Sequence, residues 1–387
     1  MTTTAPLSVS SKLDLFKTKS SGRRRPHMKY IGCDFHPSFQ QIAMLDTETG
    51  ETLDLKLKHE GDQTRQFYES LKSQEVIVGM EASGNTYWFE RLLSQLGHQL
   101  WMGDAAAIRR QDGRKQKHDR RDARLILKLM LSKDGFPKIW VPTVAERDLR
   151  QLLIHRRHLV RTRVRIKNQL QHIALNYGLQ RKGKLWSKEG MEFLRNLELE
   201  PWTRLRRDKL LEQLAQCDGD LKPLEMAVQK AADENVRAVR LQTHPGVGPV
   251  ISLATVLTMG EVHRFEDSRK WISYLGLNPS EESSGQRRKL GGISKQGNPF
   301  LRYLLVEGAS SAARGDKDLG RTYSRLKARK HHGVAKVAVA RKLAVRLYWM
   351  ERTQQPYPEV VRMQGSQSHS VAAVKAERLS RPPASHQ

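Results

Sequence analysis

Four carboxylates in the first third of the chain have the types and order needed for metal-dependent phosphate chemistry. Asp34 ends the apolar run Lys29-Tyr30-Ile31-Gly32-Cys33, and Glu81 ends a second, Val76-Ile77-Val78-Gly79-Met80. Asp119 and Asp122 stand three apart in Asp119-Arg120-Arg121-Asp122-Ala123-Arg124, a spacing that puts both on one helix face. A carboxylate at each of two strand ends, joined by a pair on a helix, makes one anionic pocket. Such a pocket suits divalent cations, with two magnesium ions (or manganese in their place) bracketing a phosphate and stabilising the attacking and leaving oxygens. His36 and His118 flank the acids as candidate proton shuttles, while Asp104 reads better as a loop cap than as a further ligand.

The surroundings are basic. Among 387 residues, 68 Lys+Arg face 41 Asp+Glu, a net charge of +27, which implies a polyanionic partner, DNA or RNA. The length predicts two or three domains with real cores, not a small basic tail protein. Two cysteines, Cys33 and Cys217, exclude a disulfide framework and a cysteine-rich zinc site. No apolar run approaches the roughly 18–20 residues needed to span a bilayer. The first 27 residues lack the hydrophobic segment of a secretory signal, so the expected location is the cytoplasm or nucleoid.

The elements that must position the acids follow from the hydrophobic pattern. Residues 29–35, 39–46 and 52–58 read as strands, the first two separated from the third by the turn signal Asp46-Thr47-Glu48-Thr49-Gly50. A helix near 62–73, a buried-type strand at 75–80, a helix at 86–96, a strand at 98–103 and a helix carrying Asp119 and Asp122 complete the series. Three strands, helix, strand, helix, strand, helix is the element order of an RNase H-like, RuvC-like α/β domain. In that fold the first strand, the fourth strand and a late helix meet at one edge, and the four acids occupy those three elements.

The rest is expected to be all-α. Residues 1–27 read as a flexible basic tail, 28–143 as the α/β domain, 144–235 as a helical coiled-coil region, 236–352 as a mainly helical C-terminal domain, and 353–387 as a disordered tail. Glu146 to Tyr177 and Arg204 to Arg237 are amphipathic, and such helices pack on each other or on a partner chain. Their arginines, Arg161 and Arg165 among them, either follow a phosphate backbone or form a solvated face. His244-Pro245-Gly246-Val247-Gly248-Pro249 is similar to a helix-hairpin-helix turn, in which glycine lets backbone N–H groups approach a phosphate; a tight interhelical turn is the equal alternative. Further on, Ser280-Glu281-Glu282-Ser283-Ser284-Gly285-Gln286-Arg287-Arg288-Lys289 sets serines among cations, a phosphate-binding loop holding a potential nucleophile. His331 and His332 read as surface residues.

Together these motifs carry a family resemblance. Asp34, Glu81 and Asp119-x-x-Asp122-Ala-Arg, then a helical linker, then Pro-Gly-Val-Gly-Pro and Gly-Leu-Asn-Pro…Ser-Ser-Gly…Ser-Lys-Gln-Gly-Asn resemble the DEDD insertion-sequence transposases of the "IS one-ten / IS eleven-eleven" family, also called bridge-RNA-guided or seeker recombinases. The likeness spans roughly residues 28–350 and leans to the "eleven-eleven" subgroup. It implies a RuvC-like domain with Asp34, Glu81, Asp119 and Asp122 as a Mg²⁺-binding tetrad, joined to a C-terminal transposase domain. It also implies Ser284 as nucleophile, with adjacent Ser283 as the alternative. DNA donor and target, a structured guide RNA and a homo-oligomer (a dimer assembling to a tetramer) are the implied partners. Arg287, Arg288, Lys289 and Lys295 would hold phosphates beside the serine, with Gly246, Gly248, Arg161 and Arg165 as further nucleic-acid contacts.

Two other function classes fit part of the pattern. A metal-dependent endonuclease, such as a junction resolvase, would use the acids without a covalent intermediate. A non-catalytic nucleic-acid-binding protein would use neither acids nor serine.

Overall fold

The computed structural model describes residues 28–111, 119–133, 135–178, 183–281 and 290–362. The chain divides into two compact units, residues 1–141 and 142–387.

The first unit is built on a five-stranded sheet: β1 (Met28–Phe35), β2 (Phe39–Asp46), β3 (Thr52–Lys58), β4 (Glu75–Glu81) and β5 (Gln99–Gly103), in the order β3-β2-β1-β4-β5. The meander β1-β2-β3 is antiparallel, whereas β4 lies parallel to β1 and β5 parallel to β4. Helices α1 (Gln63–Ser70), α2 (Tyr87–Gln95), α3 (Ala105–Gln111) and α4 (Asp119–Leu131) complete the unit. The two-residue period of a strand sorts its side chains between the two faces. Ile31, Cys33, Val78 and Met80 join Tyr68, Phe89 and Leu93 in one core, while Ile77 joins Ile126 and Met130 of α4 in another. Both faces are therefore covered. The even positions of β1 and the odd positions of β4 point to the α4 side.

Strand bounds agree with the sequence expectation to within about a residue. Helix α3 was not anticipated: it spans seven residues and buries Ile108 alone, too little periodicity to register.

Among its described residues the second unit is helical apart from one short antiparallel strand pair. Helix α5 (Val144–Asn176) starts from a capping box in which Thr143 and Glu146 bond each other's backbone N–H. After α6 (Lys188–Asn196), α7 (Pro201–Asp233) runs back along α5. The pairs Arg156–Glu225 and Arg163–Asp218, with Arg206 donating to Gln169, fix the antiparallel sense. Of the two partners open to such helices, each other or another chain, these two take each other.

Beyond them lie α8 (Val236–Gln242), α9 (Pro249–Met259), α10 (Ser268–Tyr274), the antiparallel strands β6 (Pro279–Glu281) and β7 (Leu290–Ile293), α11 (Pro299–Gly315), α12 (Lys317–Lys327) and α13 (His332–Thr353). Their core, centred on Trp271, Leu301, Leu305, Leu343 and Leu347, also takes in Leu153 of α5 and Val228 of α7. The helical region expected at 144–235 and the domain expected at 236–352 thus share one compact unit. Residues 357–362, assigned from sequence to a disordered tail, form another helical turn. Val360 there is 3 % exposed, and the Tyr357 ring packs on His244; two apolar anchors outweigh the polar composition around them.

Candidate active site and nucleic-acid interface

The acidic site grows out of strand pairing. In the parallel β1–β4 pair the last partners are Cys33 and Met80. Asp34 and Glu81, one residue further on, therefore stand at adjacent carboxyl ends, both on the α4 face by alternation. Helix α4 reaches that face because Gly32 and Gly79 are register partners. A Cβ on Gly32 would collide with the Ala123 carbonyl and the Leu127 N–H, and one on Gly79 with the Met130 side chain. The two glycines open a trough in which α4 lies against the sheet, its first turn carrying Asp119 and Asp122 over the strand ends. Acidic groups in the first turn are favoured by the unpaired N–H groups there.

The side chains converge around His36. Its Nε2 lies 3.1 Å from Asp34 Oδ2 and 3.6 Å from Asp119 Oδ1. One ligand atom from each of the three residues falls within 4.8 Å of the others. The imidazole is held by stacking on Phe39 with ring centroids 4.5 Å apart, and its backbone N–H donates to the Phe39 carbonyl at 2.9 Å. Two carboxylates and a nitrogen at such separations match the ligand set of a divalent cation. Glu81 and Asp122 lie outside that tight cluster. Glu81 is half-buried and takes an ion pair from Arg109 of α3 at 2.9 Å; Asp122 follows Asp119 by one turn. Arg124 pairs with Asp54 of β3 rather than with the acids beside it. Asp104 caps α3, its Oδ1 accepting from the Ala107 N–H at 2.9 Å. Beneath the cluster, burial first and the Asp34 charge second push the Cys33 thiol well above its ordinary pKa. It stays protonated, donating to Gln40 Oε1, and is no nucleophile.

His118 lies outside the described residues, as do Ser283, Ser284, Arg287, Arg288 and Lys289. The flanks of that serine segment are clear. Its two ends, Glu281 and Leu290, are paired in β6 and β7. Behind them the Gly-Leu-Asn-Pro and Ser-Lys-Gln-Gly-Asn motifs lie side by side, with Ser294 and Lys295 N–H donating to the Asn278 and Gly276 carbonyls. Gly276 and Gly297, at φ of 64° and 69°, press on the backbone of Gln296 and of Tyr274 respectively. Arg302 clamps both segments through the Leu275 and Gln296 carbonyls at 2.8 and 2.6 Å. Lys295 has a positive φ of 57°, which sets the turn into α11, capped by Asn298.

The Pro-Gly-Val-Gly-Pro turn joins α8 to α9. Gly246 has a φ of 81°, and a Cβ there would strike the backbone of Ser311 and Ala312 in α11; its need for glycine comes from packing within the chain. Gly248 is the N-cap of α9, with nothing facing it within 4 Å. Arg161 and Arg165 are exposed on α5. Sequence reasoning missed Arg109, whose pairing with Glu81 joins elements 28 residues apart, and Tyr303, which lines a groove beside Arg161 and Arg165.

Comparison with known proteins bears on both units. Residues 31–177 match the model of the DEDD transposase domain of IS110-type elements. Residues 238–325 match that of the transposase IS116/IS110/IS902 family. A probable family 20 transposase of Pseudomonas aeruginosa is 27% identical over 84% of this chain and 96% of its own length. The transposase for insertion sequence element IS1111A of Coxiella burnetii is 28% identical over 79% and 83%. The transposase for insertion sequence element IS1328 of Yersinia enterocolitica is 29% identical over 85% and 98%.

Proposed function

The chain belongs to the IS110/IS1111 family of insertion-sequence transposases, enzymes that cleave and rejoin DNA, and from that premise we propose that it recombines DNA through an acidic metal site and a serine nucleophile, guided by a structured RNA. The convergence of Asp34, His36 and Asp119 at the carboxyl end of β1 and the start of α4 carries this reading. The sheet order β3-β2-β1-β4-β5 supports the RNase H-like assignment of the first unit.

Asp34, Glu81, Asp119 and Asp122 are the residues that would hold divalent metal, Mg²⁺ or Mn²⁺, with His36 beside them. Bound there, the metal supplies Lewis-acid polarisation of the scissile phosphate. The chain's own groups do the rest. Ser284, or Ser283 beside it, attacks the phosphorus through Oγ and loses its proton. The P–O bond to the sugar breaks, and the departing oxygen takes up a proton. The phosphoserine ester keeps the bond energy, so a hydroxyl from another strand end attacks the same phosphorus, breaks P–Oγ and returns a proton to serine. Arg287, Arg288, Lys289 and Lys295 neutralise phosphate charge around the serine. Metal and nucleophile come from different units, supplied in the family by different protomers, so a dimer assembling to a tetramer is the working form.

The test uses full-length protein expressed with its native flanking DNA. A discrete structured RNA that co-purifies, with loops complementary to element ends and target, supports guidance; random RNA refutes it. With donor and target DNA, the wild-type protein forms a denaturant-resistant protein–DNA adduct. Ser284→Ala, alone and with Ser283→Ala, abolishes the adduct and strand exchange. Persistent metal-dependent cutting by the double variant would establish the endonuclease without covalent intermediate instead.

A further inference from the structure

Helix α5 divides its arginines between two tasks. Arg156 and Arg163 are tied to α7 by Glu225 at 2.9 Å and Asp218 at 3.4 Å. Arg157, Arg161 and Arg165 recur every four residues, which places them on successive turns of one face. Among the described residues, Arg161 and Arg165 have no acidic partner. This face lines an open groove of about 550 Å³, bounded also by Val160, Val164 and, from α11, Tyr303.

The groove is not simply basic. The Arg157 guanidinium covers Phe300 and Tyr303 at 4.9 and 5.8 Å from the ring centroids. Tyr303 remains 50% exposed and Val164 likewise. Glu307, one turn along α11 from Tyr303, is neutralised by Lys336 at 2.9 Å, so no free carboxylate from that side opposes an anion. A volume of this size falls within the roughly 300–1,000 Å³ that takes a nucleotide-sized ligand.

We infer that the groove between α5 and α11 binds an unpaired nucleotide of single-stranded nucleic acid, its base against Tyr303 and Val164 and its phosphates on Arg161 and Arg165. Cations alone would serve duplex and single strand equally, because both present phosphate. An accessible aromatic face beside them discriminates: bases in a duplex are already stacked on each other, whereas an unpaired base has a free π-face. The Arg157 cation above the aromatic pair fixes that wall in place. The inference rests on the reading of the chain as acting on nucleic acid, and it narrows that reading to a place and a strandedness. RNA and DNA single strands share the chemistry, so both are probes.

The experiment measures binding of full-length protein to fluorescent 12-nucleotide oligouridylate, oligothymidylate and a mixed-sequence duplex, across a range of salt. Tyr303→Leu is expected to weaken single-strand binding about tenfold and to leave duplex binding within twofold. Tyr303→Trp is expected to restore it, which a merely structural role would not allow. Arg161→Ala with Arg165→Ala is expected to lower the salt slope for the single strand by about 1.4, at roughly 0.7 per phosphate contact. Circular dichroism checks that each variant is folded. A stronger effect on one oligomer identifies which strand chemistry the groove prefers. Equal losses on duplex and single strand, or unchanged single-strand binding by a folded Tyr303→Leu, would overturn the inference and leave nucleic-acid binding standing. Wild-type protein that binds none of the three probes would overturn both.

Discussion

Asp34 and Asp119 come from elements 85 positions apart in sequence and meet across one imidazole, with His36 Nε2 3.1 Å from the first carboxylate and 3.6 Å from the second. Asp34 is the penultimate residue of β1 and Asp119 the first of α4, and nothing in either element's own backbone pairing requires the other's carboxylate. With the imidazole between them, three potential ligand atoms lie within 4.8 Å of one another, close enough to share one cation. Asp34→Ala or Asp119→Ala is therefore expected to abolish Mn²⁺ binding by calorimetry and to cut DNA cleavage by at least about 10²-fold. His36→Ala is expected to weaken metal affinity about 10–100-fold. Unaltered Mn²⁺ affinity in a folded Asp34→Ala protein would remove the metal assignment from this cluster.

Gly32 makes that meeting possible, since α4 lies where its Cβ would be. Gly32→Ala places a methyl against the Ala123 carbonyl and the Leu127 N–H, backbone atoms that cannot swing aside. Helix α4 must then lift, carrying Asp119 and Asp122 with it. The expected cost is about 3 kcal/mol of stability by urea unfolding, with cleavage lost even in the fraction that stays folded. A Gly32→Ala protein of wild-type stability would contradict the described packing of α4 on β1.

Much of this unit could be read from the chain because β1 and β4 carry apolar runs that lead into the acids, while β3 alternates Leu53, Leu55 and Leu57 with polar residues after a turn signal. What escaped had no local signature. Helix α3 buries only Ile108. Strands β6 and β7 are three and four residues long, in Ser/Glu and Gly sequence of low strand propensity that owes its form to the pairing of the two strands with each other. Leu149, Leu153 and Ile166 announce a helix, but not whether its partner is α7 or another chain. Gly276 and Gly297 are demanded by packing inside the unit, against the backbone of Gln296 and of Tyr274 respectively, a requirement with no local sequence signal. In the same way, Gly246 answers to α11.

Arg109 occupies one oxygen of Glu81 at 2.9 Å while itself 74% exposed. An exposed pair of this kind contributes about 0–1 kcal/mol, so Arg109→Ala should leave the melting temperature nearly unchanged. It also removes a cation that competes with metal for Glu81. Mn²⁺ affinity is expected to rise, by up to about fivefold if the whole pair energy is recovered. A fall in affinity would show instead that Arg109 positions Glu81 for the metal.

His244 gives the second unit an acid sensitivity of its own. Its ring is buried against Tyr357, with centroids 4.1 Å apart; Nδ1 lies 2.7 Å from the Pro245 carbonyl, so it carries the donated proton, and Nε2 is buried with no partner among the described residues. A second proton on Nε2 would have no acceptor. Burial lowers the pKa to about 4, the Pro245 carbonyl raises it, Arg346 adds to the lowering, and Asp316 opposes. A histidine whose folded pKa lies below its unfolded value of about 6.5 stabilises the fold fully above that value. The contribution is lost as pH falls from about 6.5 towards 4, because the unfolded chain binds the proton first. At pH 5 the loss is about 2 kcal/mol relative to pH 7. Other groups titrate in this window, so the measurement is a difference: urea unfolding of wild type and His244→Phe at pH 7 and pH 5. Phenylalanine keeps a ring against Tyr357 and takes no proton. The wild-type protein should lose about 2 kcal/mol more than the variant over that interval, whereas equal losses would mean that His244 is protonated as readily folded as unfolded.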